Sequence, residues 1–371
     1  MAKVRKRTWT HNGQERTAWI ADYFDQERKR RQKTFASKKE ADAWLVDARH
    51  DMKRGVHTPD SASITVAEAG EIWLLHCERE RLERSTIKQR REHLGLHIAP
   101  FLGDVKLSQL TAPMVVGFTE RLLDNGRSRA MVRKALTSLK TLVSHAQATG
   151  RVAQNVAREV KLKANGRHDR EIEIPSKDEL RKMLAESSGR TCPLIVTAIF
   201  TGMRVSELRG LTWEHVELEA KVIRVRQRAD AWGVMGPPKS KAGRRDIPLA
   251  PMVVNALREW KLACPSSPLD LVFPSGQGNV ESYANIRNRG FMPLLEACGI
   301  VNKSGKPKYT FHALRHAAAS LFIEQGWQPK RIQAIMGHAS VTMTMDTYGH
   351  LFPDPEGDQD AMAQVEARLL A

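Results

Sequence analysis

The sequence predicts a multidomain chain, with a small α+β module at the N-terminus, an all-α domain in the middle and a mixed, mainly α-helical domain in the C-terminal half. Three observations predict this fold class. At 371 residues the chain is too long for one ordinary hydrophobic core. Its apolar periodicity is strand-like near the N-terminus, helical in the middle and mixed thereafter. Two polar, aperiodic stretches, 56–63 and 161–174, are typical of linkers between those regions.

The first module covers residues 1–58. Strand-like residues run over 17–23 and 31–35, and Ser37 with Glu40 forms a capping box that begins a helix. Basic residues crowd the strands, and a small cationic sheet has a shape that binds a DNA groove, although a solvated charged surface accounts for the same pattern. The candidate DNA contacts here are Arg5, Lys6, Arg7, Arg30 and Arg31.

The middle domain covers residues 64–160 and is predicted to be all-helical. A second capping box, Thr65 with Glu68, begins it. Further along, Leu136, Leu139 and Val143 recur at helical spacing and indicate an amphipathic helix. Basic side chains in this domain supply further candidate DNA contacts, namely Lys88, Arg90, Arg133 and Lys134.

The third domain covers residues 175–355. Ser176 and Glu179 form a third capping box, and short strands are predicted over 222–225 and 246–249 among helices. The tail, 356–371, is predicted to form a helix with its apolar residues on one side. Such a helix packs on its own domain or reaches a neighbouring subunit.

The net charge of +17 indicates a polyanionic partner, because a protein that neutralises phosphates releases counterions and gains affinity. Nucleic acid is the leading candidate, ahead of a merely basic soluble protein. The four cysteines lie far apart, which argues against a zinc ribbon or a disulfide scaffold and favours a reducing cytoplasm. We expect neither a secretory signal nor a membrane span, because no sufficiently long apolar run is present.

Five residues of the third domain stand in an order that suits attack on a phosphodiester. They are Arg204, His312, Arg315, His338 and Tyr348. A guanidinium donates paired hydrogen bonds to phosphate oxygens and stays charged, and two of them can hold a pentacoordinate phosphorane without a metal. Taken singly, an arginine is most often a surface cation, a histidine a core polar group and a tyrosine a packing residue. A zinc site at His312 and His316 lacks further ligands at suitable spacing.

The motifs around these residues resemble those of the tyrosine recombinase family, specifically phage-type integrases of mobile elements. The first box is Thr201-Gly202-x-Arg204-x-Ser206-Glu207-Leu208, and the second is His312-x-Leu314-Arg315-His316, followed by Gly337-His338 and Tyr348. The resemblance implies the tyrosine recombinase fold for the third domain. By weaker motifs it also implies an arm-type DNA-binding module for the first domain and a SAM-like core-binding domain for the second.

The resemblance implies a role for each of the five residues. Tyr348 is the nucleophile, which forms a 3′-phosphotyrosyl bond and frees a 5′-hydroxyl. Arg204 and Arg315 hold the non-bridging phosphate oxygens. His312 and His338 hydrogen-bond the phosphate, and His312 also takes the tyrosine proton.

A lysine is expected to protonate the leaving 5′-oxygen. We assign this role to Lys239, which directly follows a proline as in similar sequences, with Lys241 as the alternative. Glu207 lies one helical turn after the first arginine and is expected to orient the site. His316 and His350 are expected to be structural.

The implied function is that of a site-specific DNA recombinase, an integrase that inserts or excises a phage or other mobile element without a metal, ATP or another cofactor. Its expected partners are double-stranded DNA at attachment sites, further copies forming a homotetramer on DNA, a DNA-bending host protein and an excision or directionality factor, with no membrane partner. Its expected location is the bacterial cytoplasm, in association with the nucleoid.

Several other functions compete with this one. A strand-exchange resolvase and a type IB-like topoisomerase share the chemistry, but the arm-type module favours an integrase. A DNA-binding regulator without catalysis is disfavoured, because every expected catalytic position holds a competent residue. A metal-dependent nuclease or transposase needs acidic ligands clustered near the site, and Glu207 alone is not a cluster.

Overall fold

The computed structural model describes residues 3–12, 14–25, 28–53, 59–60, 62–162, 173–352 and 358–370. The chain divides into two compact units, Met1–Arg167 and His168–Ala371. Half of the predicted linker at 56–63 and most of the predicted linker at 161–174 fall outside the described residues, as do the predicted domain ends at 58 and 355. Within the described residues, no helix is long and apolar enough to cross a membrane.

The first unit begins with a three-stranded antiparallel sheet and one helix. Its strands are β1 (Lys3–His11), β2 (Gln14–Phe24) and β3 (Arg30–Phe35), in the order β1-β2-β3, and they are followed by α1 (Lys38–Lys53). Ala21 and Tyr23 of β2 pack with Leu45 of α1 in a small core. The sheet therefore has one face against α1 and an opposite face made by the alternate residues of each strand.

The rest of the first unit is helical. Its helices are α2 (Val66–Arg79), α3 (Arg84–His93), a π-helical stretch (Leu94–Ile98), α4 (Ala99–Leu102), a 3₁₀ turn (Leu107–Gln109), α5 (Ala112–Asp124) and α6 (Arg129–Ala148). The capping box of α2 forms as the sequence predicts, with Thr65 and Glu68 each bonding the other's backbone N–H. Trp73, Phe118 and Leu139 lie at the centre of one hydrophobic core.

The second unit surrounds short strands with helices. It begins with α7 (Lys177–Glu186), α8 (Thr191–Thr201), α9 (Val205–Arg209) and a 3₁₀ turn (Trp213–His215). The strands follow as β4 (Val216–Glu217), β5 (Val222–Val225), β6 (Arg228–Ala229), β7 (Met235–Gly236) and β8 (Arg245–Pro248), with a 3₁₀ turn (Lys241–Gly243) before the last. Strands β4, β5 and β8 form an antiparallel sheet in that order, and β6 pairs with β7 as a separate hairpin between β5 and β8.

Helices make up the remainder of the second unit. They are α10 (Pro251–Ala263), α11 (Tyr283–Asn285), a π-helical stretch (Ile286–Phe291), α12 (Met292–Ala297), α13 (Ala313–Glu324), α14 (Pro329–Met336), α15 (Val341–Tyr348), a 3₁₀ turn (Gly349–Leu351) and α16 (Asp358–Leu370). The predicted tail helix is present as α16, and its Met362, Leu369 and Leu370 side chains are exposed.

Helix α8 runs through the main core of the second unit. Ile195, Val196 and Ile199 are fully buried, which agrees with a helix that is apolar on all sides. The helix ends at Gly202, whose φ of +60° is left-handed, and α14 ends in the same way at Gly337, with a φ of +65°. Glycine adopts this conformation without a Cβ clash, so both helices stop sharply where the motif residues begin.

Candidate active site

Arg204 lies at the start of α9, directly after the turn that ends α8. Its backbone N–H donates to Glu207 Oε2 at 2.9 Å and its Nη1 donates to Glu207 Oε1 at 3.0 Å. Its Nη2 donates to the carbonyl oxygen of Gly337 at 3.1 Å. Glu207 and Gly337 fix the orientation of the Arg204 guanidinium. Because 35% of the side chain remains exposed, it is still accessible to a ligand.

Glu207 is buried and forms an ion pair with a second arginine, Arg245 of β8. Arg245 Nη1 donates to Oε1 at 3.0 Å and Nη2 donates to Oε2 at 2.8 Å. Burial by itself raises the pKa of Glu207, but the hydrogen bonds and charge of Arg245, with the charge of Arg204, bring that pKa below its ordinary value. Glu207 is therefore an ionised carboxylate between two guanidinium groups.

Arg245 was not among the residues predicted from the sequence. It is buried, and its Nε also donates to the carbonyl oxygen of Ile335 at 2.6 Å. One available signal was the alternation of β8, in which Arg245 and Ile247 face inward while Asp246 is exposed. An arginine on the inward side of a strand requires a buried acidic partner, and Glu207 supplies it.

Arg315 is buried in α13 and hydrogen-bonds both left-handed helix ends. Its Nη1 donates to the carbonyl oxygen of Gly202 at 2.5 Å, and its Nη2 donates to that of Met336. Burial, followed by repulsion from Arg204, lowers the pKa of Arg315 to about 9. The guanidinium remains charged at neutral pH, so the site holds two cations close together.

The two predicted histidines flank these cations. His338 is buried directly after Gly337, with its Nδ1 2.9 Å from Thr344 Oγ1. His312 immediately precedes α13 and keeps an exposed edge. Burial and the charge of Arg315 lower the pKa of His338 to about 4, and burial, His316 and Arg315 do the same for His312. Both imidazoles are therefore neutral at neutral pH.

Tyr348 is the last residue of α15, and only 1% of it is exposed. Burial raises the pKa of its hydroxyl to about 12, although the charges of Arg315 and Arg204 oppose that rise. The hydroxyl lies 2.9 Å from Nδ1 of His316. The contact partner of the hydroxyl is thus the histidine expected to be structural, whereas His312 packs edge-on against His316 at a ring-centroid distance of 4.8 Å.

Lys239 and Lys241 are both exposed, on the segment between β7 and β8. This segment approaches the site through its backbone, since a Cβ built on Gly337 would lie 3.0 Å from the carbonyl oxygen of Ala242. A Cβ on Gly243 would lie 2.5 Å from Pro238 Cβ, so the segment also packs on itself. Both lysines therefore lie on a segment that contacts the turn before His338, and the choice between them stays a prediction.

The candidate DNA contacts of the first module lie on both faces of the sheet. Strand register pairs Arg5 with Ile20 and Arg7 with Ala18, which places both arginines, together with Arg30, opposite α1. Lys6 and Arg31 lie on the α1 side by the same alternation.

Several of these arginines form ion pairs with aspartate carboxylates. Arg30 Nε donates to Asp22 Oδ1 at 2.8 Å, and Arg5 Nη2 lies 3.8 Å from Asp22 Oδ2. Arg31 Nε donates to Asp25 Oδ2 at 2.8 Å. The pairs reduce the local excess of positive charge and set the directions of these side chains.

The candidates in the helical domain differ in their surroundings. Lys88, Arg133 and Lys134 are exposed. Arg90 is half-buried, stacks over the ring of Trp73 at 4.9 Å and donates to the sulfur of Cys77 at 2.9 Å. Arg90 therefore has a packing role within the domain, whatever else it contacts.

Comparison with known proteins assigns the chain to a family. The model of the phage integrase family matches residues 173–354, and that of the phage integrase N-terminal SAM-like domain matches residues 65–123. The chain belongs to the phage integrase family of tyrosine recombinases.

Individual proteins agree with this assignment. A tyrosine recombinase XerC-like protein from Caldanaerobacter subterraneus subsp. tengcongensis is 26% identical over 347 residues, which cover 85% of this chain and 87% of that protein. The Tn1549 transposon integrase, solved in complex with a circular intermediate DNA, superposes with a TM-score of 0.69 at 23% identity, over 83% of this chain and 100% of that one. A lambda integrase tetramer bound to a Holliday junction has a TM-score of 0.59 at 19% identity, over 90% and 96% of the two chains. These structures confirm the predicted fold.

Proposed function

We propose that this protein is a site-specific recombinase that cuts and rejoins DNA through a 3′-phosphotyrosyl bond to Tyr348, and so integrates or excises a phage or other mobile element. The observation that carries the proposal is that Arg204 and Arg315 donate to the carbonyl oxygens of Gly337 and Met336, directly before His338, whose ring lies 6.3 Å from that of the buried Tyr348. A phosphodiester held by those guanidinium groups lies in reach of the tyrosine. Family membership supports the cleavage and rejoining of DNA.

The two arginines, Arg204 and Arg315, stabilise the negative charge that develops on the phosphate during the reaction. Arg204 presents its exposed side to a non-bridging phosphate oxygen. Arg315 and His312, from α13 and the residue before it, and His338, from the turn between α14 and α15, surround the phosphate. Their charges and hydrogen bonds are strongest when the pentacoordinate phosphorane carries extra negative charge. Removal of one such donor is expected to lower the cleavage rate by about 10²–10³-fold.

The tyrosine needs a proton acceptor. With a pKa of about 12, the Tyr348 hydroxyl is almost entirely protonated at neutral pH. Its proton must therefore leave as the oxygen attacks phosphorus. The bond from phosphorus to the 5′-oxygen breaks at the same time, and Lys239 gives that oxygen a proton.

We propose that the reaction needs neither a metal ion nor ATP. The fixed charges of Arg204 and Arg315 supply the stabilisation that a metal supplies elsewhere. The phosphotyrosyl bond retains the energy of the phosphodiester, so a 5′-hydroxyl from another strand can reverse the attack. Strands are exchanged without an external source of energy.

Strand exchange between two duplexes requires four cuts, so we propose that four copies act together on DNA. The tetrameric assembly of lambda integrase on a Holliday junction supports this arrangement. We further propose that residues 1–58 bind arm-type sites, that 64–160 and 175–355 bind the core site, and that 356–371 links subunits. The exposed apolar side chains of α16 support the last assignment.

The test is a covalent protein–DNA adduct. Wild type and Tyr348→Phe are incubated, with and without EDTA, with a nicked duplex from the junction of the element, and the products are separated on an SDS gel. A wild-type adduct on the 3′-phosphate, absent from Tyr348→Phe, supports the proposal. Tight specific binding without an adduct favours a DNA-binding regulator, and an adduct that disappears in EDTA contradicts metal independence.

A further inference from the structure

The hydroxyl of Tyr348 contacts a histidine for which the sequence assigned no chemistry. His316 Nδ1 lies 2.9 Å from that oxygen, and the two rings meet edge-on at a centroid distance of 5.7 Å. His316 lies on α13, one helical turn after His312, and its ring contacts the rings of both His312 and the tyrosine. Its place in the fold is therefore beside the oxygen of the proposed nucleophile.

The neighbouring groups are poorer acceptors for the tyrosine proton. Arg204 and Arg315 carry donors only and cannot take a proton. His338 has its Nδ1 engaged with Thr344, and its ring lies parallel to that of Tyr348 at a centroid distance of 6.3 Å. The hydrogen-bond contact of the Tyr348 hydroxyl is with His316, and the ring of His312 packs against that of His316 at a centroid distance of 4.8 Å.

His316 has the protonation state that the role requires. Burial, followed by the charge of Arg315, lowers its pKa below the ordinary value, so the ring is neutral at neutral pH. A neutral imidazole has one nitrogen without a hydrogen. When the hydrogen is on Nε2, Nδ1 is free to accept the O–H of Tyr348.

We propose that His316 is the general base for Tyr348, taking the phenolic proton on Nδ1 during strand cleavage and returning it during rejoining. The inference rests on the proposed function. In the forward step the phenolic oxygen forms a bond to phosphorus, the proton passes to His316, the bond from phosphorus to the 5′-oxygen breaks, and Lys239 protonates that oxygen. In the reverse step a 5′-hydroxyl attacks phosphorus and gives its proton to Lys239, the bond from phosphorus to the phenolic oxygen breaks, and His316 protonates the departing phenolate. This gives His316 the role that the family resemblance placed on His312.

The test compares variants on two substrates in EDTA, with the rate of adduct formation measured under single-turnover conditions at saturating enzyme. His316→Asn keeps an oxygen that accepts the tyrosine hydrogen bond but cannot take its proton. His316→Ala removes both. The control is His350→Asn, which alters an exposed histidine two residues after the nucleophile.

The second substrate replaces the bridging 5′-oxygen with sulfur. A thiolate leaves without protonation, so this substrate bypasses the general acid but not the general base. We expect His316→Asn and His316→Ala to lose about 10²–10³-fold on both substrates. We expect Lys239→Ala to lose activity on the oxygen substrate only and His350→Asn to match the wild type.

Two results would overturn the inference. A His316→Asn rate within threefold of the wild type means that the residue only positions the hydroxyl. Rescue of His316→Asn by the sulfur substrate means that His316 acts on the leaving group. If Tyr348→Phe also forms the adduct, the proposed function itself fails, which is a separate outcome. Thermal unfolding and DNA affinity are measured for each variant, and His316→Asn decides the result if His316→Ala does not fold.

Discussion

Arg245 and Glu207 form a buried ion pair with two parallel hydrogen bonds, of 3.0 Å and 2.8 Å, behind the exposed face of Arg204. The pair joins β8 to α9, and Arg245 Nε extends the link to the carbonyl oxygen of Ile335 near the end of α14. The turn at Gly337 and His338 follows immediately. One ion pair therefore sets the relative positions of elements that carry Arg204 and His338.

Loss of Glu207 is expected to destabilise the protein strongly. Glu207→Ala leaves the Arg245 guanidinium buried without its anion, which costs about 3–5 kcal/mol of the free energy of unfolding. The matched control is Glu217→Ala, which removes the partner of Arg224 from an exposed ion pair of 2.7 Å and costs less than about 1 kcal/mol. Urea unfolding of each variant measures the difference, and equal losses at the two positions would contradict the structural role of the buried pair.

Crowding distinguishes two glycines that share a left-handed backbone. Gly337 and Gly326 have φ of +65° and +71°, so alanine strains both. A Cβ at Gly337 also meets Ala242 and Arg245, whereas one at Gly326 has nothing within 4 Å. We expect Gly326→Ala to lose about 1 kcal/mol of stability, and Gly337→Ala to lose more and to form adduct slowly. Unfolding and adduct assays on the pair test this, and similar behaviour of the two variants would contradict it.

Stability is expected to fall in mildly acidic solution because of His338. The unfolded chain protonates this residue near its ordinary pKa of 6.5, whereas the folded protein does so only near pH 4. Between these values the unfolded state binds more protons, so the free energy of unfolding decreases as the pH falls. The shift corresponds to about 3 kcal/mol for one such buried group.

Urea unfolding between pH 7.5 and pH 4.5 measures this dependence. His338→Gln, which keeps a hydrogen-bonding side chain near Thr344, is expected to show a shallower decrease than the wild type. The remaining decrease comes from the other histidines whose pKa is lowered in the folded protein, among them His312 and His316. An unchanged slope in His338→Gln would show that the residue is not held neutral in the folded protein.

Arg133 is expected to contact phosphate through its charge. The side chain is exposed on α6, and each neutralised phosphate releases about one counterion. Arg133→Ala should therefore reduce the slope of log affinity against log salt by roughly one, uniformly across DNA sequences. Arg133→Lys retains the charge and serves as the control. If Arg133→Ala leaves the slope unchanged, this face of α6 does not contact DNA.

The general acid is expected to be Lys239 rather than Lys241. With a bridging 5′-oxygen, Lys239→Ala should slow adduct formation by about 10²–10³-fold, and Lys241→Ala should have a small effect. A bridging 5′-sulfur should restore Lys239→Ala, because a thiolate leaves without a proton. Rescue of Lys241→Ala instead would reverse the assignment.

Local structure was predictable because its causes are local. The capping boxes at Thr65 and Ser176 each place both partners within four residues, so the sequence contains the whole interaction. The short strand at 222–225 is bounded as predicted. The phosphate-binding candidates were recognisable because their motifs combine residue types that the chemistry demands at fixed spacing.

The sequence by itself determined the fold class, the family and the identity of the candidate nucleophile and its cations. Only the tertiary structure decided which side chains contact and orient these residues. Arg245 meets Glu207 across 38 residues of chain, and His316 meets Tyr348 across 32. No local pattern connects such pairs, because the first contact exists only once α9 and β8 have packed together, and the second only once α13 and α15 have done so. The physical reason is that proximity to a reacting atom depends on how the elements pack, whereas capping and periodicity depend on neighbours along the chain.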